Sequence, residues 1–211
     1  GGLLQLLPVR LQVGAVGVVD QLEGERGVRG HHHRSIGQVV TFGEGGDDRH
    51  QGVDARIHRG HGELRAAADA LTAGEPDAVA NMANVAALLW EFLPDLNWAG
   101  FYRVAPAKDG EAKELVLGPF VGRPACIRIS FGTGVCGAAA ATRETQLVEA
   151  VHAFPGHIAC DADSRSELVV PVIRDGEVVA VIDLDSPLPA RFDSEDAAGI
   201  ETLAAMLANR I

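Results

Sequence analysis

Three cysteines, Cys126, Cys136 and Cys160, fall within 35 residues of one another in a chain of 211, and none lies outside that stretch. An odd number argues against a secreted disulfide framework. In a reducing compartment, clustered cysteines more often do catalytic, redox or metal chemistry, which points to a cytoplasmic protein. The thiolate is the reactive form, and it is favoured at a helix N-terminus or beside positive charge. Cys136 follows Gly134 at the start of an Ala-rich helical run, where backbone N–H groups and the helix dipole favour S⁻. On these grounds alone Cys136 is the first choice as nucleophile. Cys160 sits in a polar stretch ahead of Asp161 and Asp163, and Cys126 opens a strand-like run. Taken singly, each cysteine reads as a small buried hydrophobe; three together weaken that reading. A zinc site is disfavoured, because the spacing Cys-x9-Cys-x23-Cys, with His152 and His157 inside it, lacks the close pairs of zinc knuckles. No metal is expected.

Two further groups could do chemistry. Asp183 and Asp185 are two apart in the run VVAVIDLDS, so on a strand both point to one face. Burying a carboxylate without a partner is costly. Either they lie at the strand's exposed end, or they receive a cation such as the ammonium of an amino acid. Glu167 begins the partner strand and could join them. Trp98 and Tyr102 are four apart on another strand, hence also on one face. They are either core or the wall of a pocket for a small apolar or sulfur-bearing group.

The elements that position these residues follow from periodicity and punctuation. Leu64, Ala67, Ala68 and Leu71 recur at helical spacing ahead of Gly74, a C-terminal stop. Pro76 opens a second helix with the apolar stripe Val79, Met82, Val85, Ala86 and Leu89, ending before Pro94. Residues 97–104, 114–122 and 126–131 read as strands, 135–142 as a helix and 146–150 as a short strand; 157–165 is polar and loop-like. Residues 168–173 and 178–185 form a hairpin, since Asp175-Gly176 supplies the positive φ angles of a type I′ turn. Asp193 caps a last helix with Ile200, Leu203, Ala204 and Leu207 on its apolar side. The predicted class is α+β, a central antiparallel sheet with helices packed on one face.

Residues 1–55 differ from the body, 56–211. They are Gly-rich, carry the run His31-His32-His33, and show no sustained period. The segment reads either as a disordered extension or as translation from a misplaced gene start; with Gly1 at the front and Met82 the first methionine, the second is preferred. The histidine run lacks partners at ligand spacing and reads as solvated. A net charge of −11 would repel a polyanion, so nucleic acid is not an expected partner. No apolar run is long enough for a membrane span.

The runs NWAGFY (97–102), LGPFVGRPACIRISFGTGVCGAAA (117–140), HIACDADSRSELVVP (157–171) and VIDLDS (181–186) together resemble the free methionine-(R)-sulfoxide reductases, small GAF-domain enzymes, over roughly residues 62–209. The resemblance implies an oxidoreductase with no bound cofactor that draws electrons from thioredoxin. It implies that Cys160, not Cys136, attacks the sulfoxide sulfur, releasing methionine and leaving a sulfenic acid. Cys126 would then condense with it to a disulfide, which thioredoxin reduces, and Cys136 would be an auxiliary or second resolving thiol. Glu167, Asp183 and Asp185 would hold the substrate ammonium, one of the three meeting the sulfoxide oxygen. Trp98 and Tyr102 would enclose the S-methyl group. Family members are often dimers, so a homodimer is also implied. The competing reading is a GAF-type sensor that binds a small molecule without chemistry; it does not account for three cysteines beside three acids.

Overall fold

The computed structural model describes residues 52–108, 110, 112–156 and 162–211, with the backbone alone over 52–59. Residues 1–51, and with them the His31-His32-His33 run, lie outside the described residues, as do 157–161, which include Cys160. The described elements run α1 (Gly52–Thr72), α2 (Ala78–Phe92), β1 (Trp98–Pro106), β2 (Lys113–Gly122), β3 (Arg128–Ser130), α3 (Gly134–Thr142), β4 (Gln146–Val148), β5 (Ser166–Arg174), β6 (Glu177–Ser186) and α4 (Ser194–Leu207). A short 3-10 turn, Val151–Ala153, lies between β4 and β5. The strands form one antiparallel sheet in the order β3-β2-β1-β6-β5-β4.

Each face of the sheet has its own core, as the period-2 alternation of strands requires. Ala99, Phe101, Leu168, Val170, Ile182 and Leu184 point to one side and pack against Leu64, Met82, Val85, Leu89, Ile200, Leu203 and Leu207 of α1, α2 and α4. Trp98, Tyr102, Val169 and Val181 point to the other, where α3 covers them with Val135, Cys136, Ala139 and Ala140. Three helices thus share the face anticipated for them, while α3 takes the opposite one. Its residues are nearly all Ala, Gly or Val, small enough to let its backbone lie close to the strands, and that approach creates the cavity described below.

Local signals account for most boundaries. Asp175 and Gly176 both have positive φ, 52° and 78°, as a type I′ hairpin turn needs. Asp193 accepts hydrogen bonds from the backbone of Glu195 and Asp196, and Asp196 closes a capping box at α4. Helix α2 begins two residues after Pro76 because Asp77 is its cap, accepting from Ala80 N at 2.8 Å. Helix α1 begins at Gly52, ahead of the periodic stretch. Its buried line is His61, Leu64, Ala68 and Thr72, whereas Leu71 is half exposed. Polarity decides this turn of the helix. His61 Nε2 meets Asp196 Oδ1 at 3.0 Å, and Arg191 Nη1 donates to Asp196 Oδ2 at 2.8 Å. Asp196 is thus shared by two buried cationic or hydrogen-bonding partners. Burial alone would raise its pKa, but the hydrogen bond from His61 and the charge of Arg191 outweigh it and lower the pKa. Among the described residues no helix is long and apolar enough to cross a membrane.

Candidate active site

The register of β1, β6 and β5 assembles the site. Trp98 lies opposite Asp185 and Gly100 opposite Asp183 on one side of β6; Glu167 lies opposite Asp185 and Val169 opposite Asp183 on the other. Directly paired residues share a face, so Trp98, Tyr102, Asp183, Asp185 and Glu167 all project toward α3. Together with Cys136, Ser164, Ile129, Pro124 and Ala125 they line a cavity.

Its apolar wall is a stack of rings. Trp98 and Tyr102 are 5.8 Å apart at 22°, and Phe120 closes against Trp98 at 5.2 Å and 11°. Trp98 Nε1 donates to Arg123 O at 3.1 Å, which fixes the indole. Gly100 makes this wall possible. A Cβ there would stand 2.4 Å from Phe120 Cβ, so only glycine lets β2 come close enough to seat Phe120, and the β1–β2 register shifts at this point.

The polar wall is acidic and dry. Glu167 is 7% exposed and Asp183 6%, and Asp185 is half-buried. Burial first, then the charges of Asp183 and Asp185, hold the Glu167 carboxyl well above the usual carboxylate range. Burial pushes Asp183 up to about 6, against hydrogen bonding from Cys136 and Glu167 that pulls it down. Its Oδ1 is buried without a hydrogen-bond partner. A buried acceptor of this kind is costly unless a guest supplies the missing donor. The two acids of VIDLDS are therefore not at an exposed strand end; they face the cavity.

Cys136 stands at the first turn of α3, as anticipated, but is not a thiolate. Burial, followed by the charges of Asp183 and Glu167, raises its pKa well above the usual thiol value. Two nearby carboxylates and a dry environment outweigh half a unit of helix-dipole charge. These surroundings oppose the thiolate that the sequence argument for Cys136 as nucleophile requires. Cys126 lies two residues ahead of β3 and does not open it; it is half-buried and disulfide-bonded, while Cys136 is free.

Tyr102 is held neutral, its pKa raised by burial and then by Asp183. Ser164 was not anticipated. It is 3% exposed, lines the cavity and accepts from Asn97 Nδ2 at 3.0 Å. Sitting inside the polar run 157–165, it carried no periodicity by which to distinguish it.

A curled antiparallel sheet with its cavity under one short helix is the architecture of the GAF domain, and residues 77–211 match that family. The free methionine-R-sulfoxide reductase of Escherichia coli is 49% identical over 66% of this chain and 81% of its own length. The chain belongs to the free methionine-R-sulfoxide reductase family. Among solved structures, that of the Neisseria meningitidis free methionine-R-sulfoxide reductase in complex with its substrate is 45% identical, with a TM-score of 0.66 over 71% of this chain and 87% of that one. A putative GAF sensor protein from Burkholderia vietnamiensis is 50% identical, with a TM-score of 0.67 over 73% and 94%.

Proposed function

We propose that this chain reduces free methionine-(R)-sulfoxide to methionine. The observation that carries the reading is the cavity itself, in which three carboxylates face a stacked aromatic wall under α3. A zwitterion with a polarised S–O group and an S-methyl matches both walls. The negative side receives the ammonium at Asp183 and Asp185, and the rings take the methyl. Glu167, kept protonated by burial and its acidic neighbours, has a proton to give to the sulfoxide oxygen.

In this reading the Cys160 thiolate attacks the sulfoxide sulfur. The oxygen passes to the cysteine sulfur, methionine leaves, and a sulfenic acid remains. The Cys126 thiol displaces water from it, forming the disulfide, and thioredoxin returns both thiols by exchange. Support comes from Cys126 being disulfide-bonded and following Ala125 of the cavity lining, and from Cys136 being free and protonated, which suits an auxiliary role. No resident cofactor or metal enters the scheme, and a thioredoxin-linked cycle suits a reducing compartment such as the cytoplasm. The proposal extends to a homodimer, as the family resemblance implies.

The test is the full chain with thioredoxin, its reductase and NADPH. Free methionine-(R)-sulfoxide is expected to drive NADPH consumption and the S epimer to drive none. Absence of turnover with the R epimer would transfer the site to the sensor reading.

A further inference from the structure

Cys136, Glu167 and Asp183 come from three elements, α3, β5 and β6. The Cys136 sulfur and one carboxylate oxygen from each acid all lie within 4.8 Å of one another. All three residues are more than nine-tenths buried, and Asp183 Oδ1, in the cavity lining, has no hydrogen-bond partner. An ammonium group can satisfy the carboxylates without calling on the Cys136 sulfur, whose thiol hydrogen-bonds Asp183. Once deprotonated, one cysteine sulfur and two carboxyl groups facing an open cavity are also the donor set of an open zinc site: three protein ligands and a vacant fourth position. Zn–S bonds of about 2.3 Å and Zn–O bonds of about 2.0–2.2 Å require ligand atoms on the order of 3.5 Å apart. Side-chain rotation can supply that contraction in a cavity. A soft thiolate beside hard oxygens selects a borderline cation, since Mg²⁺ and Ca²⁺ take oxygen alone. The close-pair rule that argues against zinc in the sequence concerns knuckles, and it does not bear on ligands gathered from three separate elements.

We propose that Cys136, Glu167 and Asp183 bind one borderline divalent cation of the Zn²⁺ type, in the space the substrate ammonium occupies, so that the cation inhibits by competition. Binding makes three metal–ligand bonds and sends both the Cys136 thiol proton and the proton held on Glu167 to water; no electrons move. The competition rests on the reductase reading, whereas the cation site stands apart from it.

The experiment titrates the full chain, in its Cys126-disulfide form, with Co²⁺ and follows thiolate-to-cobalt charge-transfer absorption. One equivalent is expected to saturate the band, and Zn²⁺ to abolish it. The band should be absent in Cys136→Ser and require at least tenfold more Co²⁺ in Asp183→Asn and in Glu167→Gln. Histidine ligands, the His31-His32-His33 run included, do not produce this absorption. Added free methionine-(R)-sulfoxide should raise the apparent Kd for Co²⁺ in proportion to its concentration. A missing band, or one that survives in Cys136→Ser, overturns the site. If Cys136→Ser does not fold, unchanged affinity in the two carboxylate variants overturns it instead. A band indifferent to the sulfoxide, in protein that turns the sulfoxide over, overturns the competition. The same indifference in protein without turnover defeats the reductase reading and leaves the cation site intact.

Discussion

At the scale of single residues, the chemistry turns on protons that burial keeps in place. Glu167, Asp183 and Cys136 all have raised pKa values because each is removed from water beside the others. A carboxyl whose folded pKa exceeds its unfolded value binds more protons in the native state. Its contribution to stability is therefore full below the unfolded pKa, about 4, and is lost as pH rises through the folded value, about 6 for Asp183. Asp183→Asn removes that loss. The variant is expected to be more stable than the parent at pH 8, by about 1–3 kcal/mol, with the difference shrinking as pH falls from 6 to 4. Thermal unfolding across that range measures it. The cysteine roles separate in the same way. Cys160→Ser should abolish turnover, and Cys126→Ser should yield about one methionine per chain before stalling. Quantifying methionine in a single-turnover mixture checks both; activity that survives in Cys160→Ser but not in Cys136→Ser would reverse the assignment.

At the scale of elements, the cavity exists because two close approaches are permitted. Gly137 in α3 would place a Cβ 2.4 Å from Ser130 O, so glycine there lets the helix settle onto β3. Gly100 does the same between β1 and β2. Gly100→Ala would force Phe120 outward and unstack it from Trp98, at a cost of about 1–3 kcal/mol for overpacking. A rise in KM for the sulfoxide larger than the fall in kcat is expected, since the methyl-binding wall is displaced while the acids on β6 and β5 remain. Steady-state kinetics with the R epimer, beside a thermal melt, separates the two effects. The elements themselves were legible: the hairpin from Asp175-Gly176, α4 from Asp193 and α2 from its spacing all emerge within a few residues of expectation, although in the α2 stripe Val79 is half exposed and Asn81 is buried beside Met82, Val85, Ala86 and Leu89. The face of α1 was not, because Leu71 fits an apolar stripe while the fold buries His61 and Thr72 in its place. A long-range hydrogen bond between His61 and Asp196 and a Thr72 Oγ1 hydrogen bond to Ala68 O decide that rotation.

At the scale of the whole molecule, the described residues fall within the compact unit Gly46–Ile211, and the GAF match covers 77–211. Helix α1 contributes Leu64 and Ala68 to the core shared with α2 and α4. Deleting residues 1–51 is therefore expected to leave turnover and melting temperature nearly unchanged, whereas deletion through Thr72 should lower the melting temperature sharply by uncovering that core. A large loss from the shorter deletion would show that the leading segment folds onto the body.

The sequence by itself determined which residues could share a face. A period of two puts Asp183 with Asp185, and Trp98 with Tyr102, whatever else the chain does. Four separated motifs carried the family resemblance, because catalysis constrains residue types at fixed local spacing. Only the tertiary structure decided what those faces meet. Strand register brings Glu167 opposite Asp185, and α3 lowers Cys136 among the acids; both depend on contacts between residues far apart in the chain. The reversal for Cys136 has the same origin. A helix dipole is local and can be read from order alone, but desolvation and the field of β5 and β6 exist only once the sheet and helix have closed over the thiol.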